Sequence, residues 1–295
     1  MSLFSLWLVA TITFALMFMV PGGPFLAEKS PSQATIEALN RKYGLDKPKI
    51  VQYKNYMFTL AKGDMGVSIK QRGRTVNSII LNGFKVSARI GGLAILVAII
   101  MGIPLGAIAA VNRGRKLDSF IIVLATCGIA VPGFVVGTLL MIIFSVNLNL
   151  LPTYGLTSWR HYIMPVMALS FYPTAYISRL MRASMLEVFG QDYIRTARAK
   201  GLQQYKVIFK HALRNAVLPV VTYLGPLIAY TLTGSFVVEK IFTIPGLGSA
   251  FITSITGRDY TVIMGTTIFL AALVISMNFI VDIAYKLIDP RIKYQ

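Results

Sequence analysis

Covalent chemistry needs groups that this sequence does not assemble. The phosphate cradle G-x-x-x-x-G-K-[ST] occurs nowhere in the 295 residues, so the chain carries no P-loop of its own. Gly246-Leu247-Gly248 follows Ile244-Pro245 and reads as a turn at a span end, not as a nucleotide fold. With 11 acidic residues in all, no paired carboxylates and no Ser/His/Asp set has local motif support. His161 and His211 stand far apart without a Cys or carboxylate cluster beside either, which is not the spacing of a dedicated metal site. Cys127 is alone, which excludes an intramolecular disulfide, and its apolar surroundings predict an inert core thiol. No catalytic or metal-ligating residue is assigned, and an enzyme is a poor reading.

The informative spacing lies in Glu187–Leu202, continuing to Pro219. Tyr193, Arg195, Thr196, Ala197, Arg198, Ala199, Lys200 and Gly201 interleave positive charge with small side chains. Asp192 to Lys200 predicts a short helix with Asp192 as its cap and Gly201 as its terminator, and a second helix is expected from Gln203 to Asn215. A solvated basic loop explains the charge but neither Ala197 and Ala199 nor the glycine turn.

The elements that must hold this segment are apolar. The chain is 55% hydrophobic and 14% charged, with a mean hydropathy of +0.66, against about 25% charged in soluble domains. About six segments reach the roughly 20 residues a membrane helix needs: Leu3–Val20, Val86–Val111, Phe120–Val146, Ile163–Met181, Ala216–Val238 and Val262–Leu287. They predict an all-α membrane protein with a single transmembrane domain over 1–295. No small-residue cleavage site follows the first span, and Pro21-Gly22-Gly23-Pro24 reads as a turn, so that span is expected to be a retained anchor.

A net charge of +18 invites a nucleic-acid reading, but the basic residues sit in loops between apolar stretches. Arg113, Arg115 and Lys116 follow the second span. Arg182, Arg195, Arg198, Lys200, Lys206, Lys210 and Arg214 follow the fourth, and Arg291 and Lys293 lie in the tail. The short loops opposite offer little beyond Arg160, Lys240 and Arg258, so the positive-inside rule predicts cytoplasmic termini, a cytoplasmic loop over 182–215 and an external segment over 21–85. The external segment contains an amphipathic stretch, Ser32–Tyr43, and a turn at Gly63-Asp64-Met65-Gly66.

Within the spans, Gly102 with Gly106 and Gly133 with Gly137 have the small-xxx-small spacing of close helix packing, and Pro104 and Pro132 predict local breaks. Asp282 is expected to pair with Lys286 one turn on, and Arg89 to snorkel from the end of the second span. Tyr172, Thr174, Thr231 and Thr233 add polar groups inside spans; interhelical hydrogen bonding and solute contact both account for them, and no substrate site is assigned.

The segment over Tyr193–Gly201 resembles the EAA loop of ABC-importer permeases, E-A-A-x-x-x-G-x9-I-x-L-P. Ala197 matches the second alanine and Gly201 the glycine; Arg195 and Thr196 replace Glu-Ala, and His211, Leu213 and Arg214 stand at the I-x-L-P end. Tyr193–Leu202 followed by His211–Ala216 is similar to the B-type permease of oligopeptide and dipeptide importers. Further matches are Tyr43-Gly44-Leu45-Asp46, Ile244–Gly248, Arg258-Asp259-Tyr260 and Asp289-Pro290-Arg291.

The resemblance implies a type I ABC-importer permease fold with a cytoplasmic coupling helix, in a bacterial inner membrane. It implies a second homologous permease, two ATPase subunits holding ATP and Mg, an extracellular or periplasmic substrate-binding protein, lipid, and no nucleic acid. It makes Tyr193, Arg195, Thr196, Ala197, Arg198, Ala199, Lys200 and Gly201 the ATPase-coupling residues, small ones for close approach and basic ones for charge complementarity. No cofactor is expected on the chain itself. Permeases for nickel, glutathione or oligosaccharide share the pattern. An ion-coupled secondary transporter would instead need inverted repeats and buried functional carboxylates.

Overall fold

The structure, a computed structural model, describes residues 2–19, 37–38, 40–41, 43–232 and 236–288, without the side chains of 229, 281, 282 and 284–288. The Pro21–Pro24 turn, most of the Ser32–Tyr43 stretch, Thr233, the Asp282–Lys286 pairing and the basic tail fall outside that description. Among the described residues, regular structure is helical apart from an isolated bridge between Val67 and Thr75. Contacts divide the chain into two units, residues 1–87 with 245–275, and residues 88–244 with 276–295.

In the first unit, α1 (Ser2–Met19) meets α2 (Lys49–Ala61) through aromatic rings. Phe14 lies 5.3 Å from the Tyr53 ring and 6.1 Å from that of Tyr56, and the Thr11 and Tyr53 hydroxyls are 2.8 Å apart. The Tyr56 hydroxyl is buried with no hydrogen-bond partner among the described residues, and burial pushes its ionisation above the ordinary phenol range. The expected turn at Gly63–Gly66 forms, with the Gly66 N–H donating to Asp64 Oδ1 at 2.8 Å.

The helix α3 (Val76–Val111) begins ten residues before the expected Val86. Thr75 caps it, accepting from the Ser78 N–H at 3.2 Å through Oγ1. Its 36 residues rise about 54 Å, well beyond the roughly 30 Å of a hydrocarbon core, and place Arg89 in the helix interior. The Arg258–Tyr260 motif has a clear structural use. Asp259, 2% exposed, caps the last long helix, accepting from the Val262 N–H at 3.4 Å, and also receives the Ser68 hydroxyl and the N–H groups of Ile69 and Lys70, both at 3.2 Å. It thereby ties the loop before α3 to the start of a helix nearly two hundred residues away in sequence.

The second unit contains α4 (Lys116–Ala130), α5 (Gly133–Leu140) continuing as a π-helical turn over Met141–Asn147, and α6 (Arg160–Phe189). The anticipated third span is not straight: its halves meet at 102° across Val131-Pro132. Pro132 lacks the N–H an uninterrupted helix needs there. Cys127 is exposed on α4, not in the core as expected. Among the described residues, four helices qualify as spans by length and apolarity, Ser2–Met19, Val76–Val111, Leu218–Ile241 and Tyr260–Ile280, or five if the bent pair is one span. The fourth expected span, within α6, falls below that apolarity because it carries Ser170, Tyr172, Thr174, Tyr176, Ser178 and Arg179. The physical reason is its position: α6 packs on α4, on α5 and on α10 (Leu218–Leu232), and twelve of its side chains are buried. A helix lined by protein need not be apolar all round.

The Gly102–Gly106 spacing serves as predicted, whereas of the second pair only Gly137 is closely approached, a Cβ on Gly133 meeting Ala168 at an ordinary 3.5 Å. A Cβ on Gly102 would stand 2.8 Å from Ile177 Cγ2, one on Gly106 would overlap Ser178, and one on Gly137 would press on Phe242 at 3.3 Å. Gly128 also lies close to α6, where a Cβ would meet that of Ala175 at 2.6 Å.

Two outcomes are expected in thermal unfolding of the detergent-solubilised protein. Asp259→Ala strands the Ser68 hydroxyl and the N–H groups of Ile69, Lys70 and Val262, and costs about 3 kcal/mol. Tyr56→Phe removes an unpaired hydroxyl and raises the midpoint slightly; a clear loss would mean the hydroxyl has a partner.

Candidate functional site: the loop helix

The site is built on α7 (Asp192–Ala199), which follows α6 after Gly190 and Gln191. Gln191, not Asp192, is its N-cap, in extended conformation and without a side-chain cap. Asp192 is instead the first helical residue, where its charge suits the helix dipole, and its carboxylate lies 3.6 Å from the exposed Arg195 guanidinium. The C-terminus closes as a Schellman motif: the Gly201 N–H donates to the Arg198 carbonyl at 2.9 Å and the Leu202 N–H to that of Ala197 at 3.3 Å. Gly201 adopts φ +74°, and an added Cβ would meet nothing within 4 Å. Glycine is needed there for its backbone and not for space.

The helix has two faces. Ile194 is fully buried and Ala197 is 6% exposed; both join a core of Ile177, Met181 and Met185 from α6 with Val207, Ala212 and Ala216 from the following segment. Tyr193, Arg195, Thr196, Arg198, Ala199 and Lys200 face outward. Ala197 therefore seats α7 on its own protein, whereas Ala199 leaves the outer face low. Tyr193, 41% exposed, accepts a 2.8 Å hydrogen bond from Asn215 Nδ2.

The expected second helix runs from Gln204 to Ala216, close to the predicted bounds, but in three pieces: α8 (Gln204–Lys206), a π-helical stretch Val207–Ala212 and α9 (Leu213–Ala216). A cavity of about 320 Å³ beside α7 is lined by Arg113, Phe189, Arg198 and Gln204 among others. The Arg198 guanidinium lies 5.7 Å from the Phe189 ring centre. The outer face and this recess present guanidinium groups and a low alanine, which suits an acidic protein surface, not a reaction.

Two residues outside the predicted coupling set hold the mount in place. Arg182, counted there only as a topogenic charge, forms a fork on Asp118 of α4, with Nε–Oδ1 at 2.6 Å and Nη2–Oδ2 at 2.9 Å. Asp118 is 3% exposed and also accepts from the Gly114 N–H at 2.9 Å. Sequence reasoning passed over Asp118 altogether; a lone acid in a basic loop next to a span was the available signal.

Residues 102–294 match the family described as "Binding-protein-dependent transport system inner membrane component", and residues 2–76 match its N-terminal companion. The chain is 50% identical over 285 residues to the dipeptide transport system permease protein DppB of Bacillus subtilis, covering 97% of this chain and 92% of that one. It is 40% identical over 292 residues to the oligopeptide transport system permease protein OppB of Escherichia coli K12, covering 98% and 95%. A chain of the MetNI methionine ABC transporter, solved in inward-facing conformations, superposes with a TM-score of 0.61 at 18% identity, over 72% of this chain and 96% of that one. The fold is thus the type I importer permease fold.

Removing one partner of the fork exposes its value. Asp118→Ala leaves Arg182 uncompensated and lowers stability by about 3 kcal/mol. Gly201→Val forces a β-branched residue into the left-handed region at about 1–2 kcal/mol, and Gly201→Asn costs less. Equal midpoints for the two Gly201 variants would contradict the backbone account.

Proposed function

Since the chain belongs to the family of binding-protein-dependent transport system inner membrane components, we propose that it is a permease subunit of an ATP-driven importer of dipeptides or oligopeptides. The peptide assignment follows the two relatives named for dipeptide and oligopeptide transport, matched over nearly their whole length. In this reading 1–295 acts as one permease in a bacterial inner membrane with both termini cytoplasmic. The loop over 182–215 faces the cytoplasm and the segment over 21–85 faces outward, where a substrate-binding protein delivers peptide. A second homologous permease completes the pathway, and two ATPase subunits beneath hold ATP and Mg.

The observation that carries the coupling role is the two-faced mounting of α7. Its inner face is locked to α6 through Ile194 and Ala197, its end is fixed by Gly201, and α6 is clamped to α4 by Arg182 and Asp118. A push on the outer face from a closing ATPase pair therefore moves the bundle and not merely the loop, tilting packed helices between inward-open and outward-open arrangements. Tyr193, Arg195, Thr196, Arg198, Ala199 and Lys200 make the contact; Ala197 and Gly201 keep it stiff.

Two measurements test this. Purified from its native membrane and placed in proteoliposomes, the chain is expected to bring a second permease and two ATPases, with tri-alanine uptake dependent on ATP and an external binding protein. A lone protein driven by an ion gradient would overturn the proposal. Ala199→Trp should leave thermal stability intact and lower transport-coupled ATP hydrolysis about tenfold, equivalent to roughly 1.4 kcal/mol of docking energy; Ala197→Trp should lower stability as well.

A further inference from the structure

Three tyrosines meet where α6 and α10 pack together. Tyr172 and Tyr176, one turn apart near the middle of α6, have ring centres 6.2 Å apart, and Tyr223 of α10 lies 4.2 Å from Tyr176. Tyr172 is 43% and Tyr176 36% exposed, and Tyr223 is half-buried. The same faces continue with Arg179, exposed two turns beyond Tyr172, and with Pro226 and Tyr230, exposed on α10. Among the described residues the three phenols touch through their rings and form no hydrogen bond.

Hydrocarbon cannot satisfy those hydroxyls. Tyrosines that sit at lipid headgroups belong near span ends, not at mid-helix. The exposed side of α4 shows what suits lipid here: Phe120, Val123 and Leu124. Close helix packing is no better an account, because α6 already meets its neighbours at small residues such as Gly102, Gly106 and Gly128. A water-filled path is the environment that matches phenols at this depth.

We infer that Tyr172, Tyr176 and Tyr223 form part of the wall of the solute path and hold the passing peptide by its backbone, with Arg179 receiving its carboxylate; this rests on the peptide-importer reading. A phenol both donates and accepts, so the strip pairs with alternating carbonyl and N–H groups whatever the side chains, while the ring faces adapt to them. The site is broad in sequence and selective for peptide backbone.

Cys127 is the one cysteine of the chain, so Cys127→Ser gives a clean background. In the assembled transporter, Tyr172→Cys, Tyr176→Cys and Tyr223→Cys are expected to react with a water-soluble methanethiosulfonate, and Val123→Cys is not. Tri-alanine, with the binding protein and ATP present, should slow the reaction. Tyr176→Phe should lower tri-alanine uptake about fivefold, the loss of one hydrogen bond. Tyrosine positions as unreactive as Val123→Cys, or cysteine variants that no longer retain the second permease, overturn the path assignment. Reactive positions that tri-alanine does not protect, in a transporter that imports it, overturn the backbone contact. Reactive positions in a transporter that takes up no peptide leave the wall standing and remove the peptide-importer reading instead.

Discussion

The clamp between Arg182 and Asp118 carries more than its two hydrogen bonds suggest. It sits where the long helix α6 leaves the apolar bundle, and it fixes that helix against α4 at the end from which α7 hangs. Two ionised groups are stable there because their geometry is a parallel fork and Oδ2 also accepts the Gly114 N–H. Without it, the glycine-lined approaches of α6 to α3 and α4 would still bring helices together, but nothing would stop α6 sliding along them, since apolar contacts are not directional.

From that fixed end the loop helix inherits rigidity in steps. Ile194 and Ala197 continue the core of α6 beyond the bundle, Tyr193 reaches across to Asn215, and the left-handed glycine turns the chain sharply into the next helix. An eight-residue helix is too short to persist by itself in water. Here Ile194 and Ala197 hold it to the core and Tyr193 ties it to Asn215, so the exposed basic face is presented in one orientation, which is what a docking surface requires.

Much of this was legible in the sequence, and what was missed has a common cause. The helical class, the short helix ending at Gly201, the glycine pairs and the family resemblance all rest on local spacing. The bounds of α3 were missed because Val86 is where apolarity begins, whereas Thr75 and Ser78 set where the helix begins. The apolar measure also misjudged α6, whose Ser170, Ser178 and Ser184 are buried against protein. The role of Asp118 depended on a partner 64 residues away, a distance that no local pattern reports. Ala197 and Ala199 look alike in sequence, and only the helical phase, fixed by the burial of Ile194, separates the one that anchors from the one that faces out.

The bend between α4 and α5 bears on how the protein is made. Each half of that broken span has 15 residues, about 22 Å of helix, so neither half reaches across a hydrocarbon core of roughly 30 Å. At the corner the backbone carbonyls lose their helical partners and need protein around them before they can reside at that depth. The helix that packs on both halves is α6, which is synthesised later. This segment therefore settles into the bilayer only once α6 has emerged, and the order of insertion in this part of the chain is not simply the order of translation.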